Sequence, residues 1–512
     1  MTPRQHRPDR LVIAVDSSTT STKALIVDGT GDVPAQGRAD LSMTTPKVDH
    51  YEQDPHAWWQ TTDEAIAAAV AALDPSDRGR ISHLCCTAQR QTFALVDADG
   101  DPLRPGIVWL DGRASDQVRR LGSAQLHERS GFQPDVTPSL YKLAWLREHE
   151  PDALERADRV ATVHAWLVHA LTGEWVDSRG TADSLGLFSM AEQEWSAATL
   201  DLLGLDPGQL PALVDPLSEI GEVRPEITRG WGLEQPVTVV AGCGDGQAAA
   251  LGAGAVAPDV AYLNMGTALV AGVHSETYRT ADVFRTDAAG IPGHYVLEIV
   301  QNSGAYLTGW FRERLGRPDL SGRPDPDLDA AAAAVSPGCG GLLTLPYWNA
   351  VQSPHWDPFA RGAVVGLAGQ HDRATLYRSL LEGISVEMAR NLRGLSAAID
   401  LPLSSIRVVG GGQRSGIWRR IITDAVGIGL TEVNQEEVSA LGAAVMAHVA
   451  AGTHATAAEA AVAMSSPGTT SEPDPQTASV YAELADLQAE LYPALHPIFE
   501  AQHAFAMRHP LS

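Results

Sequence analysis

Cysteine is scarce in this chain: four among 512 residues, with no CxxC spacing. That excludes a disulfide framework and a thiolate zinc site. It leaves Cys85, Cys86, Cys243 and Cys339 as small apolar residues of a reducing, cytoplasmic setting. Long apolar runs are missing as well. Nothing approaches the ~20 uninterrupted residues that span a bilayer. The basic opening MTPRQHRPDR lacks the apolar segment of a secretory signal, and its ten residues are expected to be disordered. Positive charge is in deficit, with 37 Lys and Arg against 63 Asp and Glu and a formal net charge of -26. This argues against a nucleic-acid partner and against an anionic membrane surface. There is no GxxxxGK[ST] loop, so any nucleotide must be held by other donors.

What remains is an ordinary globular composition, 44% apolar, in a chain long enough for two or three domains. Its organising stretch is LVIAVDSSTTSTKALIVD, residues 11–28. Two short apolar runs flank a small polar turn, which reads as a hairpin. Inward-pointing N–H groups in such a turn form an anion nest. Ser18 and Thr19 add hydroxyls and Lys23 a positive charge. Asp16, at the strand end, is placed to hold Mg²⁺ directly or through water. That set suits the polyphosphate of ATP.

Along the chain, 54–73 reads as a helix with Asp54 as N-cap, and 81–100 as strand, polar turn, strand. Residues 115–130, 139–150 and 160–172 carry helical patterns, the last ended by Gly173. Residues 236–255 read as strand, glycine turn and Ala-rich helix. Residues 260–275 then repeat the opening hairpin design, which suggests two related halves meeting near 255–260. A long helix covers 375–398, a strand–glycine turn–helix unit 405–427, and a small-residue helix 439–451. Residues 452–478 read as helix and loop, and 479–502 as one terminal helix.

Several stretches carry chemistry. In GCGDGQAAA, Asp245 lies in a glycine turn before a helix. Such a residue is commonly a cap, but the flanking glycines let a substrate approach its carboxylate closely. A hydroxyl accepts a phosphoryl group only when it is oriented and relieved of its proton, which a nearby aspartate does. NMGTA offers Gly266 and Thr267 as a second phosphate loop. GGGQRSG, with Gly411, Gly412 and Gln413, is a platform on which a nucleoside can lie against backbone at a helix N-terminus. QRQT and WLDGR supply Gln89, Arg90, Gln91, Asp111 and Arg113 as fixed polar groups beside the Trp109 face, a set that suits a polyol.

Taken together, DSSTTSTK, TAQRQT, WLDGR, GCGDGQAAALG, NMGT, GAVVGL with YRSLLEGIS, and GGGQRSGIWRRII with SALGAA resemble the FGGY family of carbohydrate kinases, over nearly the full length. The resemblance implies an actin-like ATPase fold: two ribonuclease-H-like α/β domains with a cleft between them. It implies an N-terminal domain at 11–256 holding sugar and base, an ATP-binding domain at 257–452, and a C-terminal helical extension at 453–512. It further implies ATP and Mg²⁺ as cofactors and, as a family expectation, a homodimer. By motif, Asp245 resembles the catalytic base, Asp16 the metal carboxylate, and Ser18, Thr19, Lys23, Gly266 and Thr267 the phosphate loops. Gly411, Gly412 and Gln413 resemble the adenosine platform, and Arg90, Gln91, Trp109 and Asp111 the sugar-contacting set. Two features separate this chain from the family pattern. The residue after the base is Gly246 rather than Asn or Gln, and Thr375 stands where a more polar side chain is usual. The implied acceptor is a pentulose such as D-xylulose, with glycerol or a tetritol such as erythritol as the alternative. A non-catalytic nucleotide switch or sugar sensor is the remaining reading.

Overall fold

The computed structural model describes residues 10–315 and 325–509. The expectation of a disordered opening falls outside them except at Arg10, whose guanidinium donates to the Ala451 carbonyl at 3.0 Å.

The first sheet grows from the opening hairpin. Strands Leu11–Ser17 and Ser21–Asp28 pair antiparallel, with Asp16 opposite Lys23, and Ala35–Asp40 continues the meander. On the other side, Ile81–Ala88 and then Thr238–Val240 run parallel to Leu11–Ser17, and Glu219–Glu222 closes the edge. Leu11–Ser17 is buried along its whole length, as a central strand covered on both faces must be. Alternate residues serve the two faces. Leu11, Ile13 and Val15 pack with the helices Pro55–Ala72 and Val163–Thr172. Val12 and Ala14 pack with Asp245–Gly252 and Val438–Ala450. A small sheet of Glu52–Gln53, Gly106–Ile107, Phe93–Val96 and Arg159–Thr162 is set beside this layer.

The second sheet repeats the plan. Val260–Met265, Leu269–Ser275 and Tyr295–Gln301 form an antiparallel meander. Ser405–Val409 and Leu430–Val433 add in parallel, and Arg285–Ala288 and Pro467–Ser471 form the two edges. The 27-residue helix Arg373–Ile399 is capped by the Asp372 side chain on the Thr375 amide, and it buries Leu380, Leu381, Ile384, Met388 and Leu392 in the second core. This is the two-domain actin-like architecture.

Local differences have local causes. Residues 159–162 are a strand, because Val160 and Ala161 pair with Leu95 and Ala94, and the helix starts only at Val163 under a Thr162 cap. The helical stretch 115–130 splits at Gly122. The segment after 452 is not all helical. It holds the helix Ala457–Met464, then the edge strand Pro467–Ser471, then two helices, Pro475–Ala489 and Leu491–Arg508.

The halves are joined most closely where Asp245–Gly252 crosses Val438–Ala450. A β-carbon on Gly442 would lie 1.9 Å from the Ala248 carbonyl oxygen, and one on Gly252 would lie 1.9 Å from that of Val438. Only glycine permits this approach. Gly442→Ala is therefore expected to cost at least about 1–3 kcal/mol by forcing the helices apart. Gly309→Ala, on a helix with nothing near its β-carbon, is expected to be neutral or to stabilise by about 0.5–1 kcal/mol. Denaturant titration of the two variants checks this, and equal effects would contradict the packing argument.

Candidate active site

Parallel strands deliver their following loops to one edge of a sheet, where α/β proteins place ligands. Here Asp16 lies in register with Thr87, and Ser17 with Ala88, which in turn bridges Gly244. The Thr87 hydroxyl donates to the Cys243 carbonyl at 2.7 Å, and the Gln89 amide to the Ser17 carbonyl at 2.9 Å. The turns 18–20, 89–92 and 244–246 are thus neighbours. In the other sheet the same logic gathers 266–268, 410–415 and 434–437. A β-carbon on Gly410 would lie 2.4 Å from Asn264 Oδ1, and one on Gly412 would lie 2.8 Å from the Met265 carbonyl oxygen. The glycine turn therefore rests directly on the second hairpin.

Asp245 is the first residue of its helix, and its side chain is 38% exposed. Its Oδ1 accepts from the Gly246 amide at 2.9 Å and from Arg90 Nε at 3.3 Å. Among the described residues nothing donates to Oδ2, so that oxygen is free to accept. Ser439 Oγ donates to the Asp245 main-chain carbonyl at 3.1 Å, a link made by the helix crossing. Asp16 is 9% exposed and its Oδ1 has no hydrogen-bond partner. Its pKa is pushed up to about 7, chiefly by burial and then by Asp245, with Lys23 opposing. A buried, unpartnered carboxylate oxygen beside a second acid fits a cation. No group of three or more His, Cys, Asp or Glu that could hold a metal occurs among the described residues. The rest of such an ion's ligands would have to come from phosphate and water.

The hairpin turn keeps some donors for itself. Ser18 Oγ donates to the Ser21 carbonyl at 2.7 Å, and Thr19 Oγ1 accepts from Trp109 Nε1 at 2.9 Å. The main-chain amides of Thr19 and Thr20 are unpaired among the described residues. Lys23 reaches across to the Glu437 carboxylate at 2.5 Å. Glu437 also lines a cavity of about 400 Å³ with Gly410, Gly411, Gln413, Arg419 and Asn434. Gln413 Oε1 is buried without a partner, and Thr267 is exposed at its turn.

The expected sugar-contacting set divides. Trp109 is half-buried, its indole held by Thr19. Gln91 has a φ of +60° and a buried, unpartnered Nε2. An amide and a strained backbone of this kind are found at ligand sites. Asp111 departs from the expectation. It is fully buried, and its oxygens accept from the Tyr51 amide at 2.7 Å and from Arg113 at 2.8 Å. It fixes the WLDGR turn from behind, because an acid paired with a buried guanidinium has no free oxygen to present to the cleft. Arg90 turns its guanidinium to the other half of the molecule. Its Nη1 meets Asp287 at 2.8 Å and its Nη2 meets Glu298 at 2.9 Å.

Three site-supporting residues were not anticipated. Lys142, fully buried, donates to the carbonyls of Thr137 at 2.9 Å, Trp109 at 3.1 Å and Gln91 at 3.5 Å. Burial draws its pKa down to about 7, although those three acceptors match the three ammonium hydrogens. Glu298 is a buried acid in the apolar strand Tyr295–Gln301, and Asp287 is a buried acid in the polar strand Arg285–Ala288. The available signal was a charge inside an apolar run: Lys142 in SLYKLAWL and Glu298 in YVLEIVQ.

The N-terminal domain model of the FGGY family of carbohydrate kinases matches residues 11–252, and the C-terminal domain model matches 261–451. The chain is 30% identical to a xylulose kinase of Escherichia coli (strain K12) over 448 residues, 86% of this chain and 90% of that one. It is 32% identical to a glycerol kinase of Bordetella parapertussis over 471 residues, 87% of this chain and 89% of that one. The solved structure of xylulose kinase from Rhodospirillum rubrum superposes with a TM-score of 0.88 at 29% identity, covering 96% of this chain and 100% of the other. The two family models, which together cover most of the chain, and the relatives lead to one statement: the chain belongs to the FGGY family of carbohydrate kinases, ATP-dependent phosphotransferases acting on an alcohol group.

Proposed function

We propose that this enzyme transfers the terminal phosphoryl group of ATP to a hydroxyl of a neutral pentulose such as D-xylulose, with Asp245 as the general base. The observation that carries this is the free Oδ2 of Asp245. It stands at a helix N-terminus, at the carboxyl edge of the sheet that also carries Asp16, with the Arg90 and Trp109 turns alongside. Asp245 would orient the acceptor hydroxyl and take its proton as the oxygen attacks phosphorus. The unpaired amides of Thr19 and Thr20 would receive phosphate oxygens, and Gly266 with Thr267 would form the facing loop. Gly411, Gly412 and Gln413 would bed the nucleoside in the 400 Å³ cavity. Mg²⁺ fits at Asp16 by its orphaned oxygen, and when bound it neutralises phosphate charge. Closure of the two halves would exclude water from the site.

The pairing of four cations near the site supports a neutral acceptor. Arg90 is matched by Asp287 and Glu298, Arg113 by Asp111 and Glu52, Lys23 by Glu437, and Lys142 by carbonyls. None of these four is left to bind an anionic sugar. The WLDGR turn and the Escherichia coli xylulose kinase favour a pentulose. QRQT, with Arg90 beside the base, and the Bordetella glycerol kinase support glycerol or a tetritol as the second reading. Nothing favours a homodimer beyond the family expectation. No helix among the described residues is long and apolar enough to cross a membrane.

A coupled ADP-release assay over pentuloses, polyols and aldonates tests the substrate class. The highest kcat/KM is expected on a pentulose and none on an aldonate, and a polyol optimum would establish the second reading. Asp245→Asn is expected to lower kcat by about 10²–10⁴-fold with the KM for ATP little changed. Near-normal turnover would remove Asp245 as base.

Asp16 gives a pH signature in nucleotide-free protein. Its folded value of about 7 lies above the ordinary 3.8. The native state therefore keeps a proton that the unfolded chain has lost. This residue's contribution to stability falls as pH rises from about 4 to about 7 and is level above that. Asp16→Asn is always neutral and should gain on the parent across the same window, by up to a few kcal/mol. Denaturant midpoints measured from pH 4.5 to 8 check this, and a pH-independent difference would refute it.

A further inference from the structure

Gly246 directly follows Asp245, and the structure shows what occupies the space that a side chain there would need. A β-carbon on Gly246 would lie 2.5 Å from Glu298 Oε1 and 2.8 Å from Arg90 Nη2. The ion pair that fills this space joins the two halves of the molecule. Arg90 follows a strand of the first sheet, and Glu298 lies within a strand of the second.

Glu298 has little freedom to move aside. It sits opposite Arg285 on the neighbouring strand, and Arg285 Nε donates to its Oε2 at 2.8 Å. On the other side its register neighbour is Gly272, which is paired in turn with Tyr262. Because Gly272 carries no side chain, the Tyr262 hydroxyl passes over it and donates to Glu298 Oε1 at 2.6 Å. Burial opposes ionisation of Glu298, but Arg90 and Arg285 overcome it and hold the carboxyl at about 2. Glu298 is a fixed anion set by the second sheet, and Arg90 is aimed by it. Arg90 Nε then meets the Asp245 carboxylate.

We propose that Glu298 is a positioning residue for phosphoryl transfer: through Arg90 it fixes the Asp245 carboxylate, and Gly246 leaves room for the pair that does so. Asp287, on the remaining Arg90 nitrogen, completes the clamp. The proposal rests on the reading of Asp245 as base. It carries a consequence for substrate recognition. The position after the base contributes no side chain to the acceptor, and the guanidinium held in its place is already matched by acids. Nε, Nη1 and Nη2 of Arg90 each meet an acid, so the position after the base adds no side-chain donor for an acceptor hydroxyl.

The test is a double-mutant cycle between Gly246→Ala and Glu298→Gln, with Asp245→Asn run alongside. Each single variant is expected to lower kcat about tenfold or more, as a base displaced by a fraction of an ångström does, with the KM for ATP within about twofold. Because both break one contact, the double variant should be no slower than the slower single. Multiplying losses, or unchanged kcat in either single variant while Asp245→Asn is inactive, would overturn the proposal. Activity in Asp245→Asn would instead overturn the base assignment. Tyr262→Phe, which removes one hydrogen bond to Glu298 without changing charge, gives a second entry should Glu298→Gln fail to fold. A several-fold loss of kcat at unchanged Tm supports the clamp, and full activity refutes it.

Discussion

Arg90 is the cation on which the electrostatics of the cleft rest. It is 8% exposed and touches carboxylates from both halves: Asp245 from the first, Asp287 and Glu298 from the second. Such a cluster is a poor source of stability. Desolvating the ions offsets most of their attraction, whereas removing one partner strands a buried charge at about 3–5 kcal/mol. The magnitudes therefore point to geometry as its use. Charge is balanced with little to spare. Burial raises both Asp183 and Asp287 above the ordinary carboxylate range, and the Asp287 charge raises Asp183 further. Arg90 and Arg285 then face Asp287 and Glu298, two against two. Asp245 is left with one carboxylate oxygen, Oδ2, without a donor among the described residues.

The balance depends on backbone that comes closer than side chains normally permit. Gly252 and Gly442 let the helix bearing Asp245 cross a helix that begins directly after Glu437. This draws Ser439 onto the Asp245 carbonyl and brings Glu437 within reach of Lys23. Gly272 and Gly246 clear the path for the Tyr262–Glu298–Arg90 chain. Four small positions, distant in sequence, thus set where one carboxylate stands relative to the cavity lined by Gln413 and Glu437.

Much of this was legible in the sequence. The two hairpins, the glycine turns and the strand–turn–helix around Asp245 are short-range patterns, and the structure forms them where periodicity and turn chemistry place them. The strand at 159–162 and the edge strand at 467–471 were not legible. Each exists only because a partner strand from elsewhere accepts its hydrogen bonds, which a local pattern does not encode. The same limit applies to the site. Asp245 announced itself by its flanking glycines. The pairing of Arg90 with Glu298 spans 208 residues and depends on tertiary register. Asp111 read as a sugar ligand because an acid beside an aromatic in a turn looks the same whether it faces the cleft or the core. Only its burial against Arg113 decides.

One further constraint links the acidity of the whole chain to its chemistry. At net -26 the protein repels polyanions at long range, so a triphosphate has to be received by local devices. The one lysine of the opening hairpin is already spoken for by Glu437. A phosphate arriving at the Thr19–Thr20 turn does not meet a free ammonium. It competes with a carboxylate for one. Such an exchange would free Glu437 and would bring no net positive charge to the turn. A cation held at Asp16, as proposed above, would supply the compensating charge and would favour the ionised form of that buried carboxyl. An acidic cleft of this kind is not well suited to binding free ATP. On the proposed reading it would suit a nucleotide that brings its own cation, because the orphaned Asp16 oxygen could then serve as a ligand.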